Sequence, residues 1–322
     1  MTTKLKQMMT RLALATAVAS AAATPALAQE VKIGVVLSNT GTFAFVGAPV
    51  INAVKLAYEE LMAANYFGNT KVTLMVEDNR SDRAEAITLI NRMATRDQAT
   101  IIIGPVSTGE AMAAAPVAVD LKIPLFTTAT APDVLKAGPW IFKSTETAEQ
   151  FMAPLGNHVV QKAKPKNCFY VFIRDNEGYV RQKNVLRDVI AAGGVKTVGD
   201  ESILAADSDF TALATKIVSS KADCLYVGTP PEQGANIVLQ ARQAGMPAST
   251  VLVGNTGMGS DRYVKAGGKA VDGTLFPAEF VPTGVNEMGR KFIAAYTKKY
   301  NMAPDSWAGV GYTMMLVTAN AI

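Results

Sequence analysis

From residue 31 to residue 253, short apolar runs alternate with stretches whose apolar residues recur every three or four positions. Residues 31–37, 72–76, 99–103 and 123–126 are brief and nearly continuous in apolar character, as buried strands are. Between them, 47–64 carries Val50, Val54, Ala57 and Leu61 at helical spacing, and 82–96 carries Ile87, Ile90 and Met93. Ser81 or Asp82 is the expected N-cap of the second helix, and 109–121 reads as a third. A β-α-β-α rhythm implies parallel strands joined by right-handed crossovers, and so an α/β fold.

The rhythm restarts after 140–144. Helices are expected at 150–162, 179–192, 209–220 and 231–244, and strands at 168–173, 224–227 and 251–253. After 274–280 come two more helices, 286–300 and 306–321. Two similar series imply two similar lobes. No short fixed-period repeat or low-complexity linker is present, so short crossing segments should join them. The first lobe is expected to combine 29–147 with 275–322, and the second to span 148–274. The chain stops at Ile322 inside an apolar helical stretch, an end that looks cut.

The first 28 residues read as an export leader. Lys4, Lys6 and Arg11 form a basic start, 12–23 is apolar, and Ala26-Leu27-Ala28 is an A-x-A cleavage site. The apolar stretch is too short to span a bilayer, and no cysteine follows it to carry a lipid. The expected product is periplasmic, cleaved after Ala28 and no longer inserted in the membrane. It keeps about 290 residues, which suits two lobes better than one core. The formal charge of +4 includes three leader cations, so the remainder is close to neutral. No basic patch with interleaved aromatics occurs, which excludes nucleic acid as a partner. Cys168 and Cys224 each begin an apolar run, and two buried strand thiols are expected, although export would permit a disulfide. His158 is the only histidine, so no metal site is expected.

Two turns carry the candidate chemistry. Gly104-Pro105-Val106-Ser107-Thr108-Gly109 and Thr127-Thr128-Ala129-Thr130 each follow an expected buried strand. They place hydroxyls and backbone N–H groups at the carboxyl edge of a parallel sheet, where open α/β folds bind ligands. Ser107 and Thr108 also open a helix, which favours a carboxylate there; a plain N-cap would use the same residues. No histidine, cysteine or acid cluster lies nearby in sequence to make a hydroxyl nucleophilic. Tyr179 follows Arg174-Asp175-Asn176-Glu177-Gly178 and opens a helix. Its ring either covers a ligand or packs at the helix start. Gly254-Asn255-Thr256-Gly257-Met258-Gly259 lacks the Walker lysine and the G-x-G-x-x-G spacing, so it reads as a ligand-facing loop without a nucleotide cofactor.

In this order, these stretches resemble the periplasmic leucine/isoleucine/valine-binding family, the type I substrate-binding components of ABC transporters. The resemblance rests on 31–47 with Thr40-Gly41 and Gly47, on the Ile103-to-Thr108 turn, and on Ile123-Pro124-Leu125 leading to Ala129-Thr130-Ala131-Pro132. It rests further on 175–179, Asp209-Phe210-Thr211-Ala212-Leu213, and Gln240-Ala241-Arg242 with Gly245. It implies two Rossmann-like lobes joined by a hinge, with a ligand cleft between them. It also implies a monomer that delivers its ligand to an inner-membrane permease and its ATPases. In the family, the positions matching Thr108 and Thr130 hold the ligand carboxylate, and Tyr179 matches a cleft tyrosine. Phe45, Val46, Val106, Ser107, Thr128, Ala129, Pro230, Asn255 and Thr256 complete the expected site. The usual family length implies further residues after Ile322.

The departures bear on the ligand. Amino-acid binders of the family place an acid in the second-lobe glycine loop, where this chain has Thr256. A further acid near the lobe crossing falls at Ala148, with Glu146 and Glu149 close enough to be the matching position instead. A cleft tyrosine after 225–228 is replaced by Thr229-Pro230, and a family aromatic near Gly47 falls at Val46, beside Phe43 and Phe45. A buried ammonium without an anion is costly. The expected ligand is therefore a small carboxylate without an ammonium, such as a benzoate or phenylpropanoid. A branched-chain or other amino acid is the alternative. A ligand sensor would use the same clamp. A hydrolase would need a base for Ser107, which has no G-x-S-x-G elbow and no histidine partner, so no enzyme is expected.

Overall fold

A computed structural model describes residues 30–322, so the leader expected at 1–28 lies outside the described residues. Two wholly parallel sheets frame the molecule. The first contains β1 (Glu30–Leu37), β2 (Lys71–Asp78), β3 (Ile101–Ile103), β4 (Leu125–Thr127) and β5 (Ile141–Lys143), in the order β2-β1-β3-β4-β5. The second contains β6 (Asn167–Ile173), β7 (Lys196–Ile203), β8 (Cys224–Gly228) and β9 (Val251–Gly254), in the order β7-β6-β8-β9. Both orders reverse beside the first strand of the sheet. Such a reversal splays the loops at the carboxyl ends and opens a crevice there.

Helices α1 (Ala44–Ala63), α2 (Arg83–Thr95) and α3 (Thr108–Asp120) connect strands of the first sheet. Helix α4 (Ala148–His158) leads into the second, which carries α5 (Glu177–Ala192), α6 (Thr211–Ser219), α7 (Pro231–Gln243) and the short α8 (Asp261–Gly267). Beyond β9, Leu275 bridges to Val253 before the chain returns through α9 (Glu287–Tyr300) and α10 (Ser306–Asn320). Trp307, Met314 and Met315 of α10 pack into one core with Val50 and Val54 of α1 and Ile33 and Val35 of β1. Val36 points the other way, into a core with Leu89, Ile90 and Met93 of α2. β1 is thus covered on both faces, which explains its nearly continuous apolar character. Asp82 caps α2 by accepting from the Glu85 N–H at 2.7 Å. Two glycines let loops close on the end of β1: a Cβ at Gly104 (φ +114°) would lie 1.9 Å from the Val36 carbonyl oxygen, and one at Gly47 would lie 2.0 Å from that of Ser38.

Three features differ from expectation. β7 was not anticipated, because Lys-Thr-Val-Gly-Asp-Glu-Ser-Ile has no apolar run. It is an edge strand and largely unburied, so backbone pairing to β6 defines it rather than hydrophobicity. The helix expected at 150–162 stops as α-helix at His158, and a π turn at Val159–Ala163 follows. Cys168 and Cys224 are not free thiols but form a disulfide. They stand directly opposite each other on adjacent parallel strands, with Cα atoms 4.4 Å apart, a proximity set by the sheet and invisible across 56 residues of sequence. No described helix is long and apolar enough to cross a membrane.

Candidate functional site

Loops at the carboxyl edges of the two sheets face each other across a small cavity. The first sheet supplies Phe43, Phe45 and Val46 around the start of α1, Val106 and Ser107 after β3, and Thr128 and Thr130 after β4. The second supplies Asn176, Gly178, Tyr179 and Gln182 at the start of α5, and Asn255, Thr256 and Gly257 after β9. Trp307 enters from the first turn of α10. Among the described residues, no aspartate, glutamate, lysine, arginine or histidine side chain lines this cavity.

The two hydroxyl turns are stitched together. Thr127 Oγ1 donates to the Pro105 carbonyl and Thr128 Oγ1 to that of Val106, each at 2.7 Å. Ser107 is a full N-cap. Its Oγ accepts from the Glu110 N–H at 3.2 Å, and its own N–H donates to the Glu110 carboxylate at 3.1 Å. The expectation of a free N–H is therefore corrected at Ser107: the capping box consumes it. Burial raises the Glu110 carboxyl above the usual carboxylate range, against the hydrogen bonds it accepts from the Ser107 backbone and Ser38. Thr108 Oγ1 accepts from the Thr130 N–H at 3.1 Å and the Ala131 N–H at 3.4 Å. The two threonines meet as expected, but Thr108 turns its hydroxyl to the neighbouring loop and does not line the cavity. Thr130 does line it, and its hydroxyl accepts from Gln182 Nε2 at 3.3 Å. Thr108 and Gly109 open α3, so their N–H groups have no intrahelical acceptor.

The opposing wall approaches closely. A Cβ at Gly178 would lie 2.8 Å from Thr108 Oγ1 and 3.0 Å from Thr130 Oγ1, so only glycine fits. The Tyr179 ring stacks on Phe43 with centroids 6.3 Å apart and planes 19° apart. Its hydroxyl is pushed above the usual tyrosine range by burial, and stays neutral. Thr256 begins a 3-10 turn that Asn255 organises. Asn255 Oδ1 accepts from the Gly257 N–H at 2.6 Å, and Nδ2 donates to the Thr229 carbonyl at 2.8 Å. Two buried polar atoms in the wall have no partner among the described residues, Gln182 Oε1 and Trp307 Nε1.

Ala129 and Pro230, like Thr108, are absent from the wall. Ala129 is fully buried behind it, where its carbonyl accepts from Thr145 Oγ1 at 2.9 Å. Pro230 is buried at the start of α7, and the carbonyl of the preceding Thr229 accepts from Asn255 Nδ2. Near the crossing, Ala148 is buried in the second-sheet core and Glu149 pairs with Arg181, so neither reaches the cavity. His158 is exposed at the end of α4. Among the described residues, no cluster of three or more His, Cys, Asp or Glu side chains is placed to hold a metal.

Phe43, Asn176, Gly178 and Gly257, quoted in the motifs but not counted as site residues, join the site, as do Gln182 and Trp307. Gln182 was within reach of sequence reasoning, one turn after Tyr179 on the same helical face. Trp307 was not, because only the return of α10 brings it there. The cavity holds about 50 Å³ of free space. An apolar cavity of roughly 150 Å³ takes a benzene ring. A ligand of that size enters only when the walls part or the stacked rings turn aside.

The family model for periplasmic binding proteins matches residues 30–322. The chain belongs to that family. Its relatives include a Leu/Ile/Val-binding protein of Rhizobium johnstonii, 27% identical over 265 residues that cover 81% of this chain and 71% of the relative. The Leu/Ile/Val-binding protein of Escherichia coli is 24% identical, with the same two coverages. Among solved structures, a leucine-binding protein of Thermotoga maritima superposes with a TM-score of 0.83 at 26% identity, covering 91% of this chain and 82% of that one. A Rhodopseudomonas palustris ABC-transporter solute-binding protein crystallised with 4-hydroxybenzoate shares the fold, with a TM-score of 0.82 at 18% identity and coverages of 90% and 80%.

Proposed function

We propose that this member of the family is the solute-capturing component of an ABC importer, and that its ligand is a small carboxylate without an ammonium group. The observation that carries this reading is the uncharged cavity wall. An amino acid buried there would bring an ammonium with no anion to meet it, at a cost of several kcal/mol. A carboxylate fares better. The N-terminus of α3 opens at Ser107, and Thr130 offers a hydroxyl. Phe43, Phe45, Val46, Val106 and Tyr179 give the rest of the ligand an apolar and aromatic surround, and Trp307 Nε1 offers a donor to a ligand oxygen. An aromatic acid fits this set best.

The fold itself does not choose the ligand. Structures of this fold have been solved with isoleucine and with 3,4-dihydroxybenzoic acid, so the choice rests on the wall residues. In this reading the protein works in the periplasm as a monomer, after removal of residues 1–28. Two lobes, 29–147 with 275–322 and 148–274, close on the ligand and present it to a permease with its ATPases.

Titration calorimetry and thermal shift against benzoates, phenylpropanoates, leucine, isoleucine and valine test the proposal. An aromatic acid at 100 times its Kd should add about 2.7 kcal/mol of stability. Stabilisation by leucine, with no response to any aromatic acid, would overturn it in favour of an amino-acid binder.

A further inference from the structure

Gln182 is 5% exposed and has one satisfied and one unsatisfied end. Nε2 donates to Thr130 Oγ1 at 3.3 Å, whereas Oε1 is buried in the cavity wall without a partner. A buried amide oxygen left unpaired is costly, so a wall that retains one is built to receive a donor. The tether to Thr130 fixes where that donor must be. Thr130 belongs to the end of the cavity that offers donors to a carboxylate, and Oε1 lies within the width of one amide group of it. A carboxylate held at Thr130 would therefore bring the atom next to it towards Oε1. A second acceptor in that place repels the carboxylate itself and attracts an O–H or N–H on the neighbouring carbon.

We infer that Gln182 is the specificity-determining residue that selects a 2-hydroxy acid, by accepting a hydrogen bond from the hydroxyl on the carbon bearing the carboxylate. An ammonium in the same place would also donate. It carries a full charge, however, and no wall residue neutralises it. A hydroxyl satisfies Oε1 without that cost. The inference rests on the carboxylate reading of the site, and adds to it a substituent and the residue that recognises it.

The probes are matched acids that differ only at the second carbon: 3-phenyllactate, 3-phenylpropanoate and phenylalanine, with mandelate and phenylacetate as a shorter pair. In titration calorimetry the wild-type protein should bind each hydroxy acid roughly tenfold more tightly than its deoxy partner, as expected when a buried acceptor is otherwise left unpaired. In Gln182→Met, which keeps the length of the side chain, the ratio should fall to about one. Loss of the Thr130 contact would weaken both acids of a pair together and leave the ratio untouched, so the ratio separates recognition from a structural effect. Equal wild-type affinity for the acids of a pair overturns the inference whether or not the variant folds. So does a ratio that survives in Gln182→Met. Binding of deoxy acids without a hydroxyl preference would leave the carboxylate reading standing and remove only this inference. Failure of every acid to bind would remove both.

Discussion

Thr256 decides the charge of the second wall. It is buried and lines the cavity, and its side chain brings a hydroxyl, not a carboxylate, to that wall. Thr256→Glu should therefore invert the preference. A charge-assisted hydrogen bond is worth about 1.5–3 kcal/mol. Phenylalanine should gain roughly ten- to a hundredfold in affinity relative to 3-phenylpropanoate, read by calorimetry on both ligands. An unchanged ratio would mean that the missing acid is not what sets ligand class. The position of Thr256 was legible in the sequence because its loop follows a strand. Ser107 was half legible. Its place at the cavity edge followed from the strand before it, but whether it served as a cap or an open donor depended on Glu110, three residues on, turning its carboxylate back. Thr108 shows the limit, since its hydroxyl faces Thr130 and Ala131, partners that only the adjacency of β3 and β4 supplies.

Among the elements, strands with an apolar run were readable, the edge strands β2 and β9 included, and the edge strand β7 was not. β1, β6 and β8 announce themselves by nearly continuous apolar runs, whereas β7 is held by its ladder to β6 and has no apolar run. The disulfide belongs to the same scale. It ties β6 to β8, next to the point where the order of the second sheet reverses. Closing a loop of this length stabilises by about 4 kcal/mol in the chain-entropy account. The double variant Cys168→Ala/Cys224→Ala should shift the urea midpoint down accordingly. Reductant added to the native protein should act slowly, because both sulfurs are fully buried. Coincident urea curves for wild type and variant would show that strand packing alone sets the stability of that sheet.

For the whole molecule, the segments that pass between the sheets meet at Glu279. The backbone N–H groups of Glu279 and Phe280 donate to Ser306 Oγ at the start of α10, at 3.1 and 3.2 Å. Burial pushes the Glu279 carboxyl up to about 7. A hydrogen bond from the Glu146 backbone opposes the shift, the Glu146 charge adds to it, and Lys143 opposes it. The unfolded chain releases this proton near 4.5. The folded protein therefore holds a proton that the unfolded chain has lost between about 4.5 and 7, and stability falls as pH rises through that window. Above it the loss is complete. Glu279→Gln never charges, so its melting temperature should match or exceed wild type at pH 8, by a few degrees. The difference between the two proteins should vanish towards pH 4.5. Parallel melting curves across that range would show that Glu279 titrates normally in the folded state. The sequence by itself determined the parallel α/β architecture, the restart that makes two sheets, and the turns at their carboxyl edges, because these follow from local periodicity and hydrophobic burial. Only the tertiary structure decided that Cys168 meets Cys224, that Trp307 reaches the cavity from a helix near the end of the chain, and that Gln182 hangs from Thr130 with one end free. Each of those is a contact between segments far apart in sequence, and such contacts are set by how the sheets pack, which no local pattern records.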